Sequence, residues 1–239
     1  MRARLPTTVW ALGLVSLLTD VSSELVHALL PLLRQALRNV AHPAIRNRGT
    51  TVGSIAHADP AGEMPSVLVL TDGVVEAVGP GDRREIAATD FFLGPLETSL
   101  ADDELVEAVR FTRFGPGTRT AFLESSRRHG DYALAGVAVA VDVADGVVVS
   151  ARAGFVSVTP VPLVLDLTPV LRGRDAGAPV PDEVTDAVRE FVDPEGDIHA
   201  TADYRRMLAA ELTRRALATA THPTPAADPA PTTAQESVA

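Results

Sequence analysis

Ala133 to Val149 is a long apolar stretch that Asp142 and Asp145 interrupt. Acids at those points argue against a membrane span and favour strands, with a helix left open for Ala133 to Val143. The following DGVVVSARAGFVSV alternates, as one half-buried antiparallel strand does. Asp72-Gly73 splits PSVLVL from VVEAVG in the same manner and predicts a β-hairpin, because Asp-Gly suits a tight turn with positive φ. Only 4% of residues are aromatic, so the sheets must close on Val, Leu and Ala.

Helical spacing appears elsewhere. Leu32, Leu33, Ala36, Leu37 and Val40 share a stripe that Pro43 ends. Val184 to Val192 and Ala202 to Ala220 read as helices, with Asp182 and Asp197 as caps. Arg83 to Ala88 and Val106 to Phe111 read as strands, and Asp102, Asp103 and Glu104 as the acidic first turn of a helix. The fold class is therefore α+β, with antiparallel sheets and helices in two units, residues 31–115 and 118–218. The proline-rich residues 219–239 read as a disordered tail.

Residues 1–30 are set apart. Val9 to Leu33 is long enough to span a bilayer but carries Asp20, Glu24 and His27. A charge at mid-membrane depth costs roughly 2.5–3.5 kcal/mol. The stretch Leu12 to Val26, LGLVSLLTDVSSELV, resembles the first helix of a major facilitator transporter, and nothing downstream supplies the other spans. The expectation is an extra apolar helix of foreign appearance, with membrane contact through residues 9–33 as a minor reading. No small-residue cleavage site follows a clean apolar run, which predicts a cytoplasmic chain.

Composition excludes several chemistries. With 31 acids against 21 bases, all arginine, and no basic cluster, nucleic acid is not the expected partner. The absence of cysteine excludes disulfides, thiolate zinc sites and iron–sulfur clusters held by this chain. The six histidines show no metal-ligand spacing. Redox chemistry would need an organic cofactor or a partner subunit.

The candidate site is IRNRGTTVGSIAHADP, Ile45 to Pro60. Gly49 and Gly53 flank Thr50, Thr51 and Val52, and Ser54 follows. Glycines let successive N–H groups converge on a phosphate, and hydroxyls add donors. Asp59 can accept from sugar hydroxyls, and Arg46 and Arg48 can offset negative charge. Read alone, the stretch is better taken as a simple connection from helix to strand.

The run AHPAIRNRGTTVGSIAHADPAGEMP resembles the second flavin motif of the FAD-binding medium subunit of molybdenum hydroxylases, which include aerobic carbon monoxide dehydrogenases and xanthine dehydrogenases. The likeness continues in Gly81 to Phe111, Phe122 to Val141 and Asp193 to Leu217. It implies an oxidoreductase subunit that binds FAD. Its partners would be a molybdenum-cofactor large subunit and an iron–sulfur small subunit, with electrons passing through the latter to FAD and on to an external acceptor. It places Thr50, Thr51, Val52, Gly53 and Ser54 at the FAD diphosphate, Asp59 at the ribityl or ribose part, and Tyr132 near the isoalloxazine ring, with Arg127, Arg128 and Asp131 holding the turn. No catalytic residue and no metal ligand is implied.

Two departures stand out. The family's double glycine is Val52-Gly53, and a β-branched residue resists positive φ. The family's first flavin subdomain, with its alanine-glycine-glycine loop, has no counterpart in residues 1–30. The expectation is an N-terminally truncated flavoprotein whose flavin pocket is impaired. The alternative is a flavin-free remnant that at most docks to partner subunits or tethers to a membrane.

Overall fold

A computed structural model describes residues 31–222. The expectations for residues 1–30 and for the tail beyond residue 222 lie outside those residues, while residues 219–221, read as the start of that tail, continue the last helix.

The chain starts with short helices, α1 (Pro31–Leu37), α2 (Pro43–Arg46), α3 (Thr51–His57) and α4 (Glu63–Leu70). Strands β1 (Val74–Val78), β2 (Arg83–Ala87) and β5 (Leu105–Arg110) form an antiparallel sheet in the order β2-β1-β5. Between β2 and β5 lie α5 (Ala88–Phe91) and the small hairpin of β3 (Phe92–Gly94) and β4 (Glu97–Thr98). A second antiparallel sheet follows the chain, β6 (Thr118–Ser126), β7 (Ala133–Ala144), β8 (Val147–Val156) and β9 (Val164–Asp166). It is completed by α6 (Thr168–Leu171), α7 (Asp182–Phe191) and α8 (Ala202–Thr221).

The long sheet is buried on both faces, because its period of two sends alternate residues to two different cores. Phe122, Ala138, Ala140 and Val156 meet Leu32, Leu33, Met64 and Val67 of α1 and α4. Ala121, Val137, Val139, Ala153 and Phe155 meet Val184, Val188, Ala209 and Leu217 of α7 and α8. Small residues on β7 let the helices approach closely. At Gly154 of β8 an added Cβ would stand 3.1 Å from Ser66 Oγ and 3.3 Å from Leu70 Cβ on α4.

Strands form at Ala133–Ala144 and Val147–Val156 as expected, though buried on both faces rather than one, but the hairpin at Asp72-Gly73 does not form. PSVLVL lies in α4, and Met64 to Leu70 are all buried. A helix covered on every side carries no amphipathic stripe, so periodicity cannot separate it from a strand. Asp72-Gly73 instead closes the helix. Asp72 has φ +49, its N–H reaches Val69 O, and the Gly73 N–H reaches Leu68 O at 2.9 Å. That is the paired bonding of a Schellman cap, in which aspartate tolerates the left-handed region.

Three further expectations need correction. Asp102 to Glu104 form a turn, not a helix, because Glu104 is claimed by Arg84 on β2, at 2.7 Å and 2.8 Å to its two oxygens. These hydrogen bonds, with the Ala101 N–H, pull the Glu104 carboxyl down to about 2. The caps also move. Pro181 precedes α7, and Thr201 caps α8 by accepting the Tyr204 N–H at 3.2 Å. Asp197 folds the preceding loop, accepting from His199 N and Ala200 N and pairing with Arg205 at 2.7 Å. Finally, Leu32 and Leu33, the end of the membrane-length stretch, are buried in the protein core, and no helix among the described residues is long and apolar enough to cross a membrane.

Candidate functional site

The Thr50–Ser54 stretch is the first turn of α3, not an open glycine loop. Thr50 is its N-cap, and Thr50 Oγ1 accepts the Gly53 N–H at 2.8 Å. A Cβ on Gly53 would stand 2.9 Å from that oxygen, so the cap itself favours glycine here. Ser54 N–H reaches Thr50 O at 3.0 Å. The N–H groups of Thr51 and Val52 precede the first intrahelical bond and are the orphan donors of this helix. Val52 is helical and has negative φ, so the expected conflict between a β-branched side chain and positive φ does not arise.

The surroundings differ from the sequence reading at Arg46. Its Nη1 donates to Val40 O at 2.7 Å and Ala41 O at 2.6 Å, which closes the turn before α2. Arg46 is therefore spent on backbone, while Arg48 is exposed. At the other end of α3, Asp59 is half-buried and its Oδ1 accepts the Ala61 N–H at 2.8 Å. This turn is a meeting point. The Leu96 N–H, at the tip of the β3–β4 hairpin, donates to Ala58 O at 3.0 Å, and the Ser157 N–H, after β8, donates to Pro60 O at 2.9 Å. Leu96 adopts φ +60 there.

Tyr132 ends the loop between β6 and β7 and is 73% exposed. The turn before it is held by the Arg128 carbonyl, which accepts from Asp131 N and Ser126 Oγ, and not by the arginine side chains. Arg127 Nη1 lies 3.2 Å from His199 Nδ1 in the loop before α8. Gly130 has φ +87, and a Cβ on it would fall 2.6 Å from the His42 ring. His42 is the N-cap of α2. The Arg127–Tyr132 loop thus sits directly on the entry to the Ile45–Pro60 segment, although the two are far apart in sequence.

Sequence reasoning missed His42, Leu96 and Ser157. Each acts through a backbone atom or a ring edge pressed against a distant segment. The glycine at position 130 signals a turn, but its partner is visible only in three dimensions.

Residues 8–112 match the family described as FAD binding domain in molybdopterin dehydrogenase, and residues 120–220 match the CO dehydrogenase flavoprotein C-terminal domain. The chain is 40% identical over 200 residues to the nicotine 6-hydroxylase medium subunit of Paenarthrobacter nicotinovorans, covering 83% of this chain and 70% of that one. The chain belongs to the FAD-binding medium subunits of the molybdenum hydroxylases. It is also 33% identical over 198 residues to the carbon monoxide dehydrogenase medium chain of Hydrogenophaga pseudoflava, covering 82% of this chain and 69% of that one. A solved carbon monoxide dehydrogenase from the same organism superposes with a TM-score of 0.76 at 34% identity, over 84% of this chain and 70% of that one.

Members of this family are oxidoreductase subunits, and FAD is the cofactor of the matched domain. The FAD-domain match begins at residue 8 and takes in Leu12 to Val26, so the comparisons lend no support to a transporter-like origin for that stretch. The extra apolar helix expected there lies outside the described residues.

Proposed function

We propose that this chain is the FAD-binding electron-transfer subunit of a molybdenum hydroxylase. It would take electrons from iron–sulfur centres on a small partner subunit, themselves fed by a molybdenum-cofactor large subunit, and pass them to an external acceptor. The observation that carries the reading is the contact of Gly130 with His42, which brings the Arg127–Tyr132 loop onto the start of the Ile45–Pro60 segment. A flavin is a long ligand, and two separate contact loops side by side suit its ring and its diphosphate.

The residues present fit the group. Thr51 and Val52 N–H groups and the Thr51 and Ser54 hydroxyls are donors suited to diphosphate oxygens. The missing Cβ of Gly53 keeps the exposed side of the turn clear of a side chain. With Oδ1 committed to Ala61, Asp59 has Oδ2 left to accept a ribityl or ribose hydroxyl. Tyr132 presents an exposed aromatic face for ring stacking. Bound FAD supplies the step between one-electron donors and the final acceptor; the chain supplies orientation and hydrogen bonds.

FAD titration of the purified full chain tests this. Flavin bound near one per chain, with a shifted visible spectrum, supports the assignment. A folded chain that leaves FAD free in solution overturns it and favours a flavin-free role in docking to partner subunits.

A further inference from the structure

Two half-buried carboxylates face the seam between α4 and the long sheet. Glu124 lies on β6 in the cross-strand row Glu124, Gly136, Val156. Phe122, two residues earlier, and Val156 both belong to the core facing α1 and α4, so Glu124 projects to that side. Glu63 opens α4 one turn before Ser66, whose Oγ lies over Gly154 in the adjoining row. The two acids therefore approach from opposite walls of one seam, and the charge of Glu63 acts on Glu124.

Nothing neutralises them. Glu124 Oε2 is inaccessible and has no hydrogen-bond partner, and Ser66 Oγ, Ser157 Oγ and Gln35 Oε1 are likewise buried without one. The charged groups on the neighbouring elements are elsewhere engaged or of the wrong sign. Asp59, in the turn before α4, is a third acid, and its charge adds to that of the pair. Arg152 of β8 pairs with Asp72, and Arg205 of α8 pairs with Asp197. Arg34 of α1 and Arg38 just after it are exposed, and β7 presents only Gly136 in that row. Among the described residues neither acid enters an ion pair.

We propose that the Glu63–Glu124 pair keeps at least one proton in the neutral-pH fold and forms a pH-dependent latch between α4 and the long sheet. Loss of their protons places like charges in a half-buried seam and loosens the helix layer. Burial is the main force, raising Glu63 to about 7 and Glu124 to about 8 from an ordinary 4.5. For Glu63 a backbone hydrogen bond opposes the shift and the Asp59 charge adds to it; for Glu124 the Glu63 charge adds to it. The protons belong to the pair and leave in sequence.

The sign follows. Folded pKa values above the unfolded value mean that the native chain holds more protons between pH 4.5 and about 8. Stability is full below that window and falls as pH rises through it. Each retained proton increases the unfolding constant by about tenfold per pH unit.

The test is urea unfolding of the full chain from about pH 5 to about pH 9, beside infrared spectra of the carboxyl carbonyl. The parent is expected to lose stability with rising pH, and its protonated-carboxyl band should disappear over the same range. Glu124→Gln should remove part of that band and flatten the stability profile, and Glu63→Gln should do the same. A parent with no protonated-carboxyl band at neutral pH overturns the proposal, even if neither variant folds. So does a Glu124→Gln variant that keeps the parent's slope and band.

Discussion

Gly53→Ala separates the two reasons a glycine can stand at this position. The new Cβ would be 2.9 Å from Thr50 Oγ1, which now accepts the Gly53 N–H at 2.8 Å. Thr50 must rotate away, and a lost N-cap costs about 1 kcal/mol. Alanine within a helix returns about 1 kcal/mol over glycine. The two effects nearly cancel, so the melting temperature should move by less than about 4 °C. FAD binding has no such compensation. A methyl group and a displaced threonine would crowd the donors of Thr51 and Val52, and one charge-assisted hydrogen bond is worth about 1.5–3 kcal/mol. The dissociation constant should rise about tenfold or more. Flavin fluorescence titration, run beside a thermal melt, reads both quantities. An unchanged FAD affinity would show that Gly53 serves the cap alone, and the placement of diphosphate at α3 would be withdrawn. Val52→Gly is the companion variant. Since Val52 is helical, this change should cost about 0.5–1 kcal/mol and bring no gain in FAD affinity.

Gly73→Ala should destabilise strongly, because its Cβ would fall 2.4 Å from Leu68 Cδ1 and 2.8 Å from the Arg110 carbonyl. Overpacking of this kind costs about 1–3 kcal/mol, and the urea midpoint should fall accordingly. Arg205→Leu removes a 7% exposed guanidinium that donates to Leu134 O at 2.7 Å and to Asp197. Leaving that carbonyl unpartnered should cost about 1–3 kcal/mol in the same assay. Tyr132→Ala should leave stability unchanged, since the ring is 73% exposed, but alter the absorbance or fluorescence of bound flavin; an unaltered spectrum removes Tyr132 from the site.

Much of the architecture was legible in the chain. The interrupted apolar run from Ala133 and the alternation from Asp145 announced the strands β7 and β8, and the spacing of Ala202 to Ala220 announced α8. Four stretches of family-like sequence pointed to a flavoprotein. These signals are local: strand period, helix stripe and motif all lie within a few consecutive residues, where covalent geometry ties sequence to shape. Only the tertiary structure decided the rest. It made PSVLVL a helix, because contacts on all sides erased the stripe that would have marked it. It turned Asp72-Gly73 from a hairpin into a helix cap, since the same left-handed residue serves both. It set His42 against Gly130 and Glu63 across from Glu124. Those pairings depend on which surfaces the folded layers press together, and no single stretch of chain encodes them.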